Sequence, residues 1–159
     1  MPNLPAAEYR FHAYKLSEGY PDTFFAFFAN NNKNASKTVS VTAGRTITVH
    51  LALGPKCAKL RVIIRNEYGI PVDGGLSFTR AGEETSEYSI GVKADSEFLV
   101  PLVPFEVEVT ANNYETWKSS ILTPRSEETI KLNVRLTPSR QIPLHLESVK
   151  TLLTSHKSN

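Results

Sequence analysis

Residues Lys59 to Gly75 read KLRVIIRNEYGIPVDGG, and the fold class follows from how this stretch changes character halfway along. Leu60, Val62 and Ile64 repeat every second residue, with Arg61 and Arg65 on the opposite phase. That is the pattern of a half-buried strand, because successive side chains of extended chain point to opposite faces. Asn66, Gly69 and Pro71 then end it. Gly69 can adopt the positive φ of a tight turn, and Pro71 fixes φ and lacks an amide donor, so the chain must leave the ladder. Val72-Asp73-Gly74-Gly75 adds a second kink before Leu76 and Phe78 resume the alternation.

Outward from this stretch the same grammar recurs. Tyr9 to Tyr14, Thr23 to Ala29, Lys37 to Thr42, Thr46 to Leu53, Tyr88 to Val92, Glu97 to Leu102, Phe105 to Thr110, Tyr114 to Ile121 and Thr129 to Leu136 all suit strands. They are separated by Gly, Pro and Asn, including Gly19-Tyr20-Pro21, the Asn30 to Asn34 loop, and Ala43-Gly44-Arg45, which reads as a hairpin turn. Four phenylalanines between Phe24 and Phe28 predict aromatics on both faces of a strand, buried on both sides or offered to a partner. Many short, evenly spaced strands call for an all-β antiparallel sandwich rather than a parallel α/β sheet. After Pro138 the spacing of Leu146, Val149, Leu152 and Leu153 suits a short amphipathic helix over 144–155, or a frayed extra strand, and residues 155–159 are expected to be disordered.

An internal repeat bears on domain organisation. Ile47, Val49, Leu51, Leu53 and Pro55 match Ile130, Leu132, Val134, Leu136 and Pro138 at a constant offset of 83 residues, position 47 to position 130. Upstream, Tyr9-x-Phe11 with Gly19-Tyr20 parallels Phe105-x-Val107-x-Val109 with Asn113-Tyr114. Residues 9–55 are therefore expected to be the C-terminal half of one β-sandwich repeat, separate or merged into one sandwich. Residues 57–138 would be a complete copy and 139–159 an extension.

Composition excludes several classes. The 159 residues are 40% hydrophobic and 21% charged, which argues against a disordered or collagen-like chain. A formal charge of +2, from 18 basic and 16 acidic residues without blocks, offers no footprint for nucleic acid or an anionic membrane. The longest strongly apolar run, Phe24 to Ala29, is far short of the roughly 20 residues that span a bilayer as a helix. Cys57 is the single cysteine, so neither an internal disulfide nor a thiolate metal cage is expected. The start, MPNLPAAEYRF, lacks the features of a secretory signal. It reads as a cytoplasmic protein or, with the half-repeat, an internal fragment of a longer one.

Leu60-x-Val62, Asn66-x-x-Gly69-x-Pro71-Val72-x-Gly74, Phe98 to Leu102, Phe105-x-Val107-x-Val109, Asn113-Tyr114 and Ile130-x-Leu132-x-Val134-x-Leu136 together resemble the carboxypeptidase regulatory-like domain, a transthyretin-type sandwich. The resemblance covers Lys59 to Pro138, with Val39 to Pro55 similar to the end of another repeat. Asn113 stands where that family commonly has glycine, and Leu76 to Gly91 matches poorly. The resemblance implies a non-catalytic accessory module, a spacer or a binding module, in bacterial extracytoplasmic proteins. It supplies no shared functional residues.

Candidate chemistry is sparse. His12, His50, His145 and His156 show no metal-ligand spacing, so no metal or cofactor site is expected. Cys57 lacks a nucleophile motif, Gly74-Gly75 lacks the Lys-Ser/Thr of a phosphate cradle, and the Tyr-Arg-Gly-Ser ending of the hydroxyisourate hydrolases is absent. An internal Lys–Asn isopeptide could draw on Lys59, Asn133 and Glu106 or Glu108, but Asn133 and both glutamates lie on the outward phase, away from the dry core such chemistry wants. Two readings remain: a structural, spacer or domain-interaction module, and a carbohydrate- or protein-binding module using exposed aromatics. Tyr68, Trp117, Tyr20 and Phe25 are the candidate contact rings, although core or inter-module packing accounts better for Trp117 and for Phe24 to Phe28. Neighbouring domains are the expected partners.

Overall fold

A computed structural model describes residues 4–29 and 35–139. Its strands are β1 (Ala7–His12), β2 (Ser36–Val41), β3 (Ala58–Asn66), β4 (Gly74–Arg80), β5 (Tyr88–Val92), β6 (Asp95–Val100), β7 (Phe105–Thr110), β8 (Trp117–Lys118) and β9 (Thr129–Leu136). The expected helix over 144–155 lies outside the described residues. Among those described, no helix is long and apolar enough to cross a membrane.

Two sheets make the sandwich, one ordered β6-β3-β9 and the other β5-β4-β7-β8. The alternation read from the sequence decides what fills it. Ala58, Leu60, Val62 and Ile64 of β3, Leu76 and Phe78 of β4, Phe105, Val107 and Val109 of β7, and Val134 and Leu136 of β9 are buried together. Their polar neighbours face out and pair across strands, as in the two-pronged Arg61–Asp95 bridge, with Nε and Nη2 donating at 2.9 and 2.7 Å. Every ladder is antiparallel except β3–β9, which is parallel from Lys59↔Thr129 to Asn66↔Leu136. A parallel neighbour requires a long crossover connection, and here β4 to β8, drawn from both sheets, supply it.

The turn after β3 carries the chain between sheets. Asn66 organises it: its Oδ1 accepts from the amides of Tyr68 (3.0 Å) and Ile70 (2.9 Å), its carbonyl accepts from Gly69, and Gly69 sits at φ 80°. Pro71 makes one bridge to Arg65 before the chain departs to β4. Asn66→Ala leaves two amides without their side-chain acceptor and is expected to cost about 1–2 kcal/mol. Chemical denaturation with an unchanged m-value checks this.

Three expected strands come out differently. Thr23 to Ala29 is a turn followed by a 3₁₀ segment, Ala26–Phe28. Asp22 Oδ1 accepts from the Phe24 amide at 2.9 Å, and this local bond draws the backbone out of extended geometry. Tyr114 to Ile121 shrinks to the two residues of β8, because the ladder against β7 shifts register between Val107–Ser119 and Phe105–Leu122. The Ser119 hydroxyl accepts from the Val107 amide at 2.9 Å across that shift.

The Lys37–Thr42 and Thr46–Leu53 hairpin also fails to form. β2 pairs instead with β1, in a separate two-stranded ribbon running from Ala7↔Val41 to His12↔Ser36. The Arg45 amide bonds the Thr42 carbonyl at 3.3 Å, and Gly44 has φ 73° while Ala43 does not have a positive φ. That is a type II turn, whose twist splays flanking strands where types I′ and II′ would join them.

Candidate functional site

β5 and β6 are edge strands of opposite sheets and follow one another in the chain. Between them the sandwich is open. The Asp22-capped turn points Phe27 into this opening, where it is only 7% exposed. Its ring lies 5.2 Å from Phe78, stacks on Tyr88 at 5.2 Å and 23°, and meets Phe28 edge-on at 5.0 Å. Phe78 continues the series inward to Phe105 at 5.7 Å. Offset and edge-on ring pairs at these separations each add about 0.5–1.5 kcal/mol beyond area burial.

Phe27 does not fill the opening. A cleft of about 480 Å³ remains, walled by Leu16, Phe25, Phe28, Tyr88, Ile90 and Phe98, with Asp22 and Glu87 also lining it. Glu87 is held by Arg80 at 3.0 Å. The volume lies within the range of small-molecule and anchor-residue pockets, and the walls are apolar and aromatic. Phe24 and Phe25, from the same turn, are 67% and 62% exposed. Second attachments hold the N-terminal segment to the sandwich: the Cys57 amide donates to the Gly19 carbonyl at 2.8 Å, and Lys56 pairs with Glu127 at 2.7 Å.

The four candidate rings do not make one patch. Phe25 stands at the cleft. Trp117 is on β8, at the opposite edge of the four-stranded sheet from β5, and packs half-buried against the core. Tyr20 is half-buried, with the Lys56 ammonium 5.7 Å from its ring centroid. Tyr68 projects from the β3–β4 turn at 78% exposure. Of the pair that forms the floor of the cleft, Phe27 belongs to the Phe24 to Phe28 run for which packing is the sequence expectation, whereas nothing in the sequence marks Tyr88.

The remaining candidates are dispersed. His50 is exposed; His12 is half-buried and meets Phe24 edge-on at 5.3 Å; His145 and His156 lie outside the described residues. Among the described residues no three His, Cys, Asp or Glu side chains are grouped to hold a metal ion. Lys59 and Asn133 sit exposed on β3 and β9, and Lys59 pairs with Glu97 at 3.2 Å. Glu106 and Glu108 belong to the other sheet, with Glu108 paired to Lys118 at 2.8 Å. The isopeptide set is not assembled.

Cys57 is buried, and burial pushes its thiol from 9.0 up to about 12. The sign follows: above pH 9.0 the unfolded chain ionises this thiol while the folded chain keeps it neutral until about 12, so the contribution to stability falls across that window. Native protein at pH 8 is expected to resist a thiol-specific disulfide reagent and to react stoichiometrically once denatured. A thiol titration checks this.

The fold and the cleft define the class: an all-β sandwich with an aromatic opening on one side. No family model matches the chain, and no curated protein sequence matches it.

Proposed function

We propose that this chain is a non-catalytic β-sandwich module with a structural and domain-interaction role, gripping adjoining polypeptide through the aromatic cleft between β5 and β6. The observation that carries this reading is Phe27, an aromatic side chain from outside the sandwich seated against Phe78 and Tyr88. The resemblance to carboxypeptidase regulatory-like domains, with its extracytoplasmic setting, is compatible with such a role. Burying a phenylalanine contributes about 1.5–3 kcal/mol, so Phe27→Ala is expected to raise the undocked population of the N-terminal segment by about 10–100-fold. Limited proteolysis reads this as faster cleavage between positions 13 and 56 while residues 57–139 survive. Unchanged cleavage would remove the docking role.

A second reading rests on Phe25 and the unfilled cleft beside it: a carbohydrate or protein ligand stacking on exposed rings. Glycan-array or pull-down binding lost in Phe25→Ala, with the melting temperature unchanged, supports it. Binding lost instead in Tyr68→Ala would move the contact to the β3–β4 turn.

A further inference from the structure

The N-terminal segment parallels the closing half of the sandwich in several local features. β1 followed by Gly19-Tyr20 corresponds to β7 followed by Asn113-Tyr114, and Gly19 and Asn113 share the left-handed conformation at φ 87° and 68°. β2 pairs antiparallel with β1 as β8 pairs with β7. A carbon placed on Gly54 would stand 3.8 Å from the Tyr20 ring, next to Pro55, and Tyr114 likewise bridges to Pro138. Thr46–Leu53 then takes the place of β9, 83 positions before Thr129–Leu136.

What differs is the neighbour. β9 runs in parallel beside β3, whereas Thr46–Leu51 has no ladder partner among the described residues. From Thr48 on the segment keeps a strand's alternation, with Val49 and Leu51 half-buried and Thr48 and His50 exposed, while Ile47 is 41% exposed. Between it and the apolar face of the ribbon, at Phe11, Val39 and Val41, lies a groove of about 900 Å³. Packed layers of a finished sandwich leave no such space. A row of strand N–H and C=O groups with no ladder partner among the described residues is a template for another strand.

We propose that Thr46–Leu51 is an acceptor edge for β-strand addition in trans, taking in parallel an extended polypeptide with the pattern of β3: apolar at alternate positions and basic between them. The charges favour this partner. β3 places Arg61 beside Lys131 and Arg65 beside Arg135; 83 positions earlier the acceptor has Thr48 and Ala52, which remove both like-charge contacts. The edge also has a polarity. The Lys59 amide donates to the Glu128 carbonyl at 2.8 Å, and in a parallel ladder that phase turns the amides of Ile130, Leu132 and Val134 toward β3. By correspondence, Ile47, Val49 and Leu51 turn theirs toward the incoming strand, and Thr48 and His50 turn theirs away. The inference deepens the domain-interaction reading and rests on it, but it uses a different surface from the Phe27 cleft, so either can fail alone.

The probe is a labelled peptide copying Ala58–Asn66, AKLRVIIRN, titrated into the full chain by fluorescence anisotropy, with amide hydrogen exchange over 46–51. Saturable binding with new protection there is expected. Val49→Pro is expected to weaken binding at least about tenfold, whereas Thr48→Pro, with its nitrogen on the outer edge, binds like the parent. A peptide N-methylated at its Arg61 position, which faces the acceptor, is expected to lose binding, and one N-methylated at its Val62 position to keep it; this comparison does not depend on a variant folding. No saturable binding at about 1 mM, a range that corresponds to only about 4 kcal/mol, would overturn the proposal. So would equal effects of the two N-methylations, or protection of 46–51 without peptide through pairing with a second copy.

Discussion

Phe78→Ala lowers the unfolding free energy by about 3–5 kcal/mol, the range for truncating a buried phenylalanine. Phe78 is 2% exposed and touches rings on both sides, Phe105 toward the interior and Phe27 and Tyr88 toward the opening. Its loss removes the wall on which the N-terminal segment rests as well as core volume. Denaturant unfolding is therefore expected to show a large drop in midpoint together with early exposure of the N-terminal segment to protease. A drop under about 1 kcal/mol, typical of a site away from the core, would mean that β4 does not face this interior.

Gly74→Ala is expected to be the other severe substitution, for a backbone reason. A Cβ at Gly74 would stand 2.5 Å from the Thr110 carbonyl oxygen, so β4 and β7 would have to separate at the step where Gly75 pairs with Thr110. Overpacking against backbone costs about 1–3 kcal/mol or more. Gly91→Ala, on the adjoining strand, is the control, because nothing lies within 4 Å of the added carbon. Thermal melts of the pair are expected to differ by several degrees, with Gly91→Ala near the parent; equal melts would place the β4–β7 contact elsewhere.

How far the sequence could be read depended on whether a segment's partners were local. β7 and β9 were legible to the residue, since Phe105-x-Val107-x-Val109 and Ile130-x-Leu132-x-Val134 alternate without interruption between Pro, Asn and Thr boundaries. β3 and the Asn66–Pro71 turn were legible for the same reason. The parallel β3–β9 contact was not, because alternation is the same in either direction and five strands of both sheets separate the two in the chain. Thr46–Leu51 has a strand's pattern yet no ladder partner among the described residues, which is a fact about tertiary context and not about its residues. The cleft was half-visible. The phenylalanine run announced an apolar contact, but with rings at nearly every position no period could say that Phe27 goes in while Phe24 and Phe25 stay out; the Asp22 side chain decides that.

Aromatic proton NMR on the folded chain tests the account most directly. Phe27, identified by its disappearance in Phe27→Ala, is expected to show cross-relaxation to the rings of Phe78 and Tyr88, whose centroids are each 5.2 Å away, and an upfield shift from stacking on Tyr88. Phe27 resonances at the positions of a free phenylalanine, with no contact to either ring, would contradict both the docked segment and the opening it is said to occupy.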